Sequence, residues 1–457
     1  MIARALDAGR ADVPSTLSAK REQHCLTQRQ ERIERYARSG GRDVRAAGIR
    51  MKRPRNLKKK LLLVSFGLLF GLFMSEIFLR VLGYSYPLFY TTDYYRGFAL
   101  QPGVEGHYQR EGESYVRINS DGLRDREHSK SKPANTVRIA VLGDSFVEAM
   151  HVPIEQTFWW LLERKLQGCN AFPGKNIEVI NFGVSGYGTA QELLTLRQKV
   201  WDYSPDLVVL AFTTYNDVYD NSRALSRTEE VPYFVYRNGE LTYDASFRDS
   251  RTYQQRSSKL NRFGRWLHNE LRVIQLVHYV QFVAKLRLTD WKNKRRLAVQ
   301  NQTKPADGGT PTVRTAEDIG IDNMIYIEPR DENWKEAWRV TEGLVRRMRD
   351  DVAEKGARFI LVTMSNAVQV YPDPAVRQRF LQHVGADTIF YPNLRLKAMA
   401  EQEQIDFLDL AQPMQAYADQ NKVFLHGFGS DLGNGHWNAT GHRLAAELIA
   451  QKLCGNK

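Results

Sequence analysis

The chain has 457 residues, 42 % apolar and 26 % charged, which excludes a disordered or low-complexity protein and allows one large domain with insertions or two domains. Its net charge of +13 suggests a nucleic-acid binder until it is mapped. Residues 1–50 carry eleven Lys/Arg against six Asp/Glu and 51–60 add six more basic residues, so +11 lies before Leu61 and about +2 remains for the rest. A near-neutral body carries no net charge that calls for a polyanion, and no nucleic-acid partner is expected.

Residues 1–50 are rich in Arg, Ala and Gln and lack periodicity. They read as a tail of a basic segment covering 1–60, or as untranslated sequence, because Met51 opens a well-formed membrane segment of its own. There, "KRPRNLKKK" is followed by "LLLVSFGLLFGLFMSEIFLRVLG". Residues 61–82 would span roughly 33 Å as a helix. Glu76 and Arg80 are four apart and can pair on one face. Basic residues before the segment, and only Arg80 close behind it, predict a single-pass anchor with a cytoplasmic N-terminus and the body outside. A cleaved signal peptide is the alternative, but no A-x-A-like site is present. The aromatic run "YSYPLFYTTDYY" that follows reads as a membrane-surface belt, or else as a glycan-stacking surface.

Residues 83–136 are a lead-in of short strands and turns, including "INSDGLRD". A strand–helix alternation then fills 137–457. Strands are predicted at 137–142, 177–183, 206–212, 358–364 and 405–410. Helices are predicted at 154–167, 190–201, 331–355, 393–404 and 441–453. Short β-branched runs between helical patterns predict an α/β fold with a parallel sheet covered on both faces. The long gap between the third and fourth strands, 215–357, holds an insertion at about 220–330. Its segment 267–286 is apolar nearly all round, but Glu270, Arg272, two histidines and Lys285 favour a packed insertion or lid helix over a second membrane contact. "QNQTKPADGGTPT" (300–312) reads as an exposed loop.

Of the three cysteines, Cys25 lies in the basic tail and is expected to be free. Cys169 ends the first helix and Cys454 the last. In a doubly wound sheet of order 2-1-3-4-5 these helices share a face, so a Cys169–Cys454 disulfide is predicted in an oxidising compartment, with two unrelated cysteines as the alternative. No metal-ligand spacing is present, and no cofactor is expected.

In an open parallel sheet, the residues after each strand share one cleft. These are "GDSF" (143–146), "NFGVSGYGTAQ" (181–191), "TTYNDVYDN" (213–221) and "GHWNATGH" (435–442). The set suits acyl transfer, which needs an activated hydroxyl and donors aimed at an oxyanion. Ser145 is the candidate nucleophile. Its own N–H, the N–H of Gly186 and the amide of Asn216 are the candidate oxyanion donors. His436, ahead of the last helix, is the candidate base. His442 reads as a packed histidine, Asp144 as a turn-stabilising residue, Asp217 as similar support behind Asn216, and Trp437 as packing.

These blocks, "GDS", "VSGYG", "YND" and "GHWN" in this order, resemble the SGNH (GDSL) hydrolase family over roughly 137–453. The anchor and the "NSDGLRD" lead-in look like its membrane-anchored bacterial members. The resemblance implies a flavodoxin-like three-layer α/β/α sandwich with a five-stranded parallel sheet. It also implies ester hydrolysis, with O-acetyl transfer to polysaccharides in some members. A bacterial inner-membrane protein with a periplasmic esterase domain follows, removing O-acyl groups from an acylated carbohydrate or polysaccharide. An O-acetyltransferase using the same Ser–His site is the alternative.

One position departs from the family, which places an aspartate two or three residues before the histidine. Here Asn434 and Gly433 stand there. Three readings stay open. Asp431, five residues upstream, could reach the imidazole around the glycine-rich loop. A Ser–His dyad could rely on a backbone carbonyl. Or the scaffold is a non-catalytic glycan-binding or assembly protein.

Overall fold

The computed structural model describes residues 56–300, apart from 168 and 170, and residues 320–455. The readings of residues 1–50, of Cys25 and of the loop at 300–312 fall outside the described residues, save Gln300 itself. The chain divides into two units, 1–68 and 69–457. Helix Leu57–Val81 is the membrane-length element: the most apolar 18 residues within 58–81 have a mean hydropathy of 2.1. Leu72, Phe73 and Phe78 on it are exposed.

The body is built on five parallel strands: β5 (Thr136–Gly143), β6 (Asn176–Asn181), β7 (Leu207–Phe212), β10 (Arg358–Thr363) and β11 (Asp406–Asp409). They lie in the order β11-β10-β7-β5-β6, which is 2-1-3-4-5 when counted along the chain. Alternation along each strand sends side chains to two cores. Ile139, Val141, Val179 and Val209 pack under helices Phe158–Gln167 and Ala439–Cys454. Ala140, Leu142, Ile180 and Leu210 pack under helices Thr189–Gln198, Glu332–Glu354 and Tyr391–Gln402. Three layers result. Cys169 and Cys454 are disulfide-bonded, joining the two outer helices of the first face across 285 residues of sequence.

The lead-in forms two hairpins, β1 (Tyr90–Asp93) with β2 (Gly97–Leu100), and β3 (Glu105–Tyr108) with β4 (Ser114–Arg117). Phe89, Leu100, Val116 and Ile118 bury against Met150, Val184 and Tyr187, residues of the loops after β5 and β6. This packing carries the β3–β4 turn to the C-terminal end of the sheet. In the insertion, β8 (Tyr233–Arg237) and β9 (Glu240–Asp244) form a hairpin, followed by helices Arg251–Ser257, Lys259–Glu270 and Arg272–Gln300.

The segment 267–286, expected as a packed insertion or lid helix, is packed on one side only. It breaks at Leu271, and only one side of its second helix is covered. Gln275, His278, Tyr279 and Phe282 line a cavity of about 460 Å³ with Tyr86, Phe89, Tyr90, Phe98 and Tyr108. Val277 and Val280 are more than half exposed. The aromatic run after the anchor thus supplies one wall of this cavity.

Candidate active site

β5 pairs with β6 on one side and β7 on the other, which makes its C-terminal end the switch point of the sheet. The chain turns there at Asp144 into the short helix Ser145–Glu148. The buried Asp144 carboxylate accepts from the Phe146 N–H at 3.0 Å, the expected turn bond. It also accepts from Thr213 Oγ1 at 3.1 Å and from Asn216 Nδ2 at 2.9 Å, so it ties the Ser145 turn to the loop after β7. Burial raises its carboxyl pKa, against these hydrogen bonds. Asp217 accepts from the Thr213 N–H at 2.8 Å and shapes the same loop from behind. Burial, with repulsion from Glu192 and Asp144, raises its pKa well above the usual carboxyl range.

Ser145 and Asn216 are half-buried and Gly186 is exposed, so all three reach solvent. The Ser145 and Gly186 N–H groups have no hydrogen-bond partner among the described residues. Gly186 has φ +78°, a left-handed conformation that costs glycine little.

The loop 426–438 brings His436 onto the nucleophile. His436 Nε2 lies 2.7 Å from Ser145 Oγ. Its Nδ1 lies 2.5 Å from Oε2 of Glu111, in the β3–β4 turn, and its backbone N–H donates to Oε1 of the same carboxylate at 2.6 Å. A carboxylate only accepts, so Nδ1 carries the proton and Nε2 presents its lone pair to the serine hydroxyl. Burial alone would lower the His436 pKa, but the Glu111 hydrogen bond and charge outweigh it and raise it above the ordinary imidazole value. Glu111 is held below the usual carboxylate range by the same partner, again against burial.

Asp431 does not make this contact. It is exposed in the loop, and its Oδ1 accepts from Asn434 Nδ2 at 2.8 Å, within the turn that precedes His436. The carboxylate comes instead from the lead-in, for which the sequence carries no local signal. A glutamate between two short strands looks like any solvated turn, and the one hint is the missing aspartate before His436.

Three further histidines surround the base. His151 stacks on His436, with ring centroids 4.8 Å apart and planes at 29°. The buried His442 accepts from the Phe158 N–H at Nδ1 (3.3 Å), leaving its Nε2–H to face His151 Nε2 at 3.3 Å. Burial pushes His442 down to about 3 and holds His151 well below the ordinary range, so both are neutral props. His426, pushed down to about 4 by burial, lies 2.7 Å from the Gly435 carbonyl oxygen through Nδ1. Trp437 is fully buried and donates to Ser365 Oγ at 2.9 Å. Among the described residues no group of three or more His, Cys, Asp or Glu could hold a metal ion.

Residues 327–456 match the family described as "SGNH hydrolase-like domain, acetyltransferase AlgX". No curated protein matches the chain. Among solved structures it is similar to the acetyl xylan esterase AlAXEase, at 13 % identity, covering 68 % of this chain and 98 % of that one, with a TM-score of 0.34. It is similar also to a catalytic mutant of Axe2, an acetylxylan esterase from Geobacillus stearothermophilus, at 12 % identity over 70 % and 96 % of the two chains, with a TM-score of 0.34. An alpha/beta hydrolase enzyme from the metagenome of Lake Arreo, Spain, shares 14 % identity over 71 % and 99 %, at the same TM-score. Likeness at this level says nothing about substrate. Residues 327–456, which supply the last two strands of the five-stranded parallel sheet, are thus similar to an SGNH hydrolase-like domain.

Proposed function

We propose that the chain is a serine esterase or acyl-transfer enzyme acting on O-acyl groups, most simply acetyl, of a carbohydrate or polysaccharide, with Ser145, His436 and Glu111 as its triad. The observation that carries this reading is the unbroken relay Ser145 Oγ, His436, Glu111, at 2.7 Å and 2.5 Å. His436 Nε2 takes the hydroxyl proton as Ser145 Oγ attacks the ester carbonyl. Glu111 holds the ring tautomer and stabilises the imidazolium that forms. The N–H groups of Ser145 and Gly186 and the Asn216 amide receive the oxyanion. The imidazolium then protonates the leaving alkoxide, and water or a sugar hydroxyl releases the acyl group by the reverse steps.

Hydrolysis and transfer share the acyl-enzyme and differ only in acceptor. The family description naming an acetyltransferase supports the transfer branch. A non-catalytic glycan-binding role was motivated by the missing aspartate, and Glu111 removes that motive. Helix 58–81 supports a single-pass anchor, with the disulfide fitting an extracytoplasmic body; a signal sequence is the second reading of that helix. The test is full-length protein in detergent, incubated with an aryl acetate and an acetylated polysaccharide, with and without an unacetylated glycan. Acetate release, or acetylated glycan, that disappears in Ser145→Ala supports the reading. Activity that survives Ser145→Ala refutes it.

A further inference from the structure

Two consecutive helices of the insertion leave apolar stripes uncovered. On helix Arg272–Gln300, the inward stripe faces the aromatic cavity. The outward one, Val277, Val280 and Leu288, is 52 %, 56 % and 60 % exposed at helical spacing. On helix Lys259–Glu270, Leu260, Phe263 and Trp266 are 79 %, 57 % and 52 % exposed, and the Phe263 and Trp266 rings stack at 5.5 Å. Single exposed apolar residues are ordinary on soluble surfaces, but two such stripes on adjoining helices mark a contact surface.

Charge and position identify the partner. Residues 256–292 carry eight Lys/Arg against two Asp/Glu, although the whole chain beyond Lys60 sums to only about +2. The basic surplus of the body is therefore gathered on these helices. They are also fixed to the membrane-length helix. The Glu76 carboxylate accepts from the Arg272 and Val273 N–H groups at 3.0 Å each, and Arg80 Nη2 donates to the Glu270 carbonyl at 2.5 Å. Glu76 and Arg80 lie near the end of helix Leu57–Val81.

We propose that the outward faces of helices Lys259–Glu270 and Arg272–Gln300 lie on an anionic phospholipid surface, the bilayer that the anchor crosses. Apolar stripes with interfacial tryptophans and flanking lysines and arginines are the composition of helices that lie in a headgroup layer. This rests on the anchor reading and goes beyond it by docking the body itself. It is independent of the proposed catalysis.

The test uses the full chain with Cys25→Ser and the native disulfide intact, in nanodiscs of phosphatidylcholine mixed with phosphatidylglycerol. Nitroxides are placed singly through Phe263→Cys and Val280→Cys, with Leu72→Cys as the bilayer reference and Glu354→Cys as the aqueous one. Relaxation by oxygen and by a water-soluble nickel chelate reports depth. The expected oxygen-to-nickel accessibility ratio at 263 and 280 approaches that at 72, and it falls toward that at 354 in phosphatidylcholine alone. Water-like ratios at 263 and 280 beside a lipid-like 72 overturn the docking and leave the anchor standing. Labels shielded from both agents indicate a protein partner and overturn it. Equal ratios in the two lipid mixtures overturn the anionic requirement. A water-like 72 overturns the anchor and the docking together.

Discussion

Glu111 binds His436 twice, through the ring at 2.5 Å and through the backbone N–H at 2.6 Å, from a hairpin turn 325 residues earlier in the chain. The double contact fixes both the rotation of the imidazole and the backbone that carries it. A carboxylate from the loop of the histidine itself would orient only the ring. The lead-in hairpins are thus part of the reaction centre, and their burial against Met150 and Val184 gives the triad its geometry.

Glu111→Gln should lower kcat by a factor on the order of 10⁴, the loss seen when a triad carboxylate becomes an amide. Its pH profile checks the cause. His436 acts only when neutral, and Glu111 raises its pKa, so wild-type activity rises with pH through a midpoint above the ordinary imidazole value. Without the anion the imidazolium loses its stabilisation and the midpoint moves to lower pH. Asp431→Asn should leave both rate and profile unchanged.

Gly435→Ala tests the same contact from the other side. Gly435 has φ +66°, and a Cβ there would collide with the Glu111 carboxylate. The variant should fold, because the position is exposed, yet lose activity to a degree approaching Glu111→Gln. Steady-state rates with an aryl acetate measure it.

Asn216→Ala removes one proposed oxyanion donor and should cost about 10²–10³ in kcat with KM little changed. The Asp144 carboxylate loses its 2.9 Å donor in this variant, so a melting curve belongs beside the kinetics.

Glu148 makes the folded state less stable as pH rises toward neutrality. It is fully buried, and burial pushes its carboxyl up to about 7 despite the Ser185 N–H, the Tyr90 hydroxyl and Arg124. Its folded pKa exceeds the unfolded value, so the folded state holds the proton more tightly. Stability is highest below the unfolded pKa, falls as pH rises toward about 7, and levels above it. At 1.36 kcal/mol per unit the loss is on the order of 3 kcal/mol. Urea midpoints in detergent at about pH 5 and about pH 8 should differ in this direction, and Glu148→Gln should narrow the gap. Asp220, also pushed up to about 7 by burial, preserves part of the slope.

Cys454→Ser should destabilise the body by about 2–5 kcal/mol, since the bond closes a loop spanning 285 residues. Activity below the transition should persist, because neither sulfur is near Ser145. Melting with and without reductant checks it: reductant should shift wild type and leave the variant unmoved.

The sequence by itself determined the sheet and the loops at its carboxyl end. Short β-branched runs alternating with helices mark a parallel sheet, the family resemblance implies its winding, and "GDS", "VSGYG", "YND" and "GHWN" each follow a strand or open the last helix, where topology brings them together. That logic reaches Ser145 and His436, which lie 2.7 Å apart. It does not reach Glu111, because the β3–β4 turn is placed by apolar contacts of Phe89, Val116 and Ile118 that leave no mark on the turn itself. Nor does it reach the faces of segment 267–286, whose residues are apolar nearly all round. Periodicity cannot divide such a helix, and only the packing of Tyr279 and Phe282 inward decided that Val277 and Val280 look out. Local patterns record which residues share a strand or helix face; which remote group covers that face is a property of the folded chain alone.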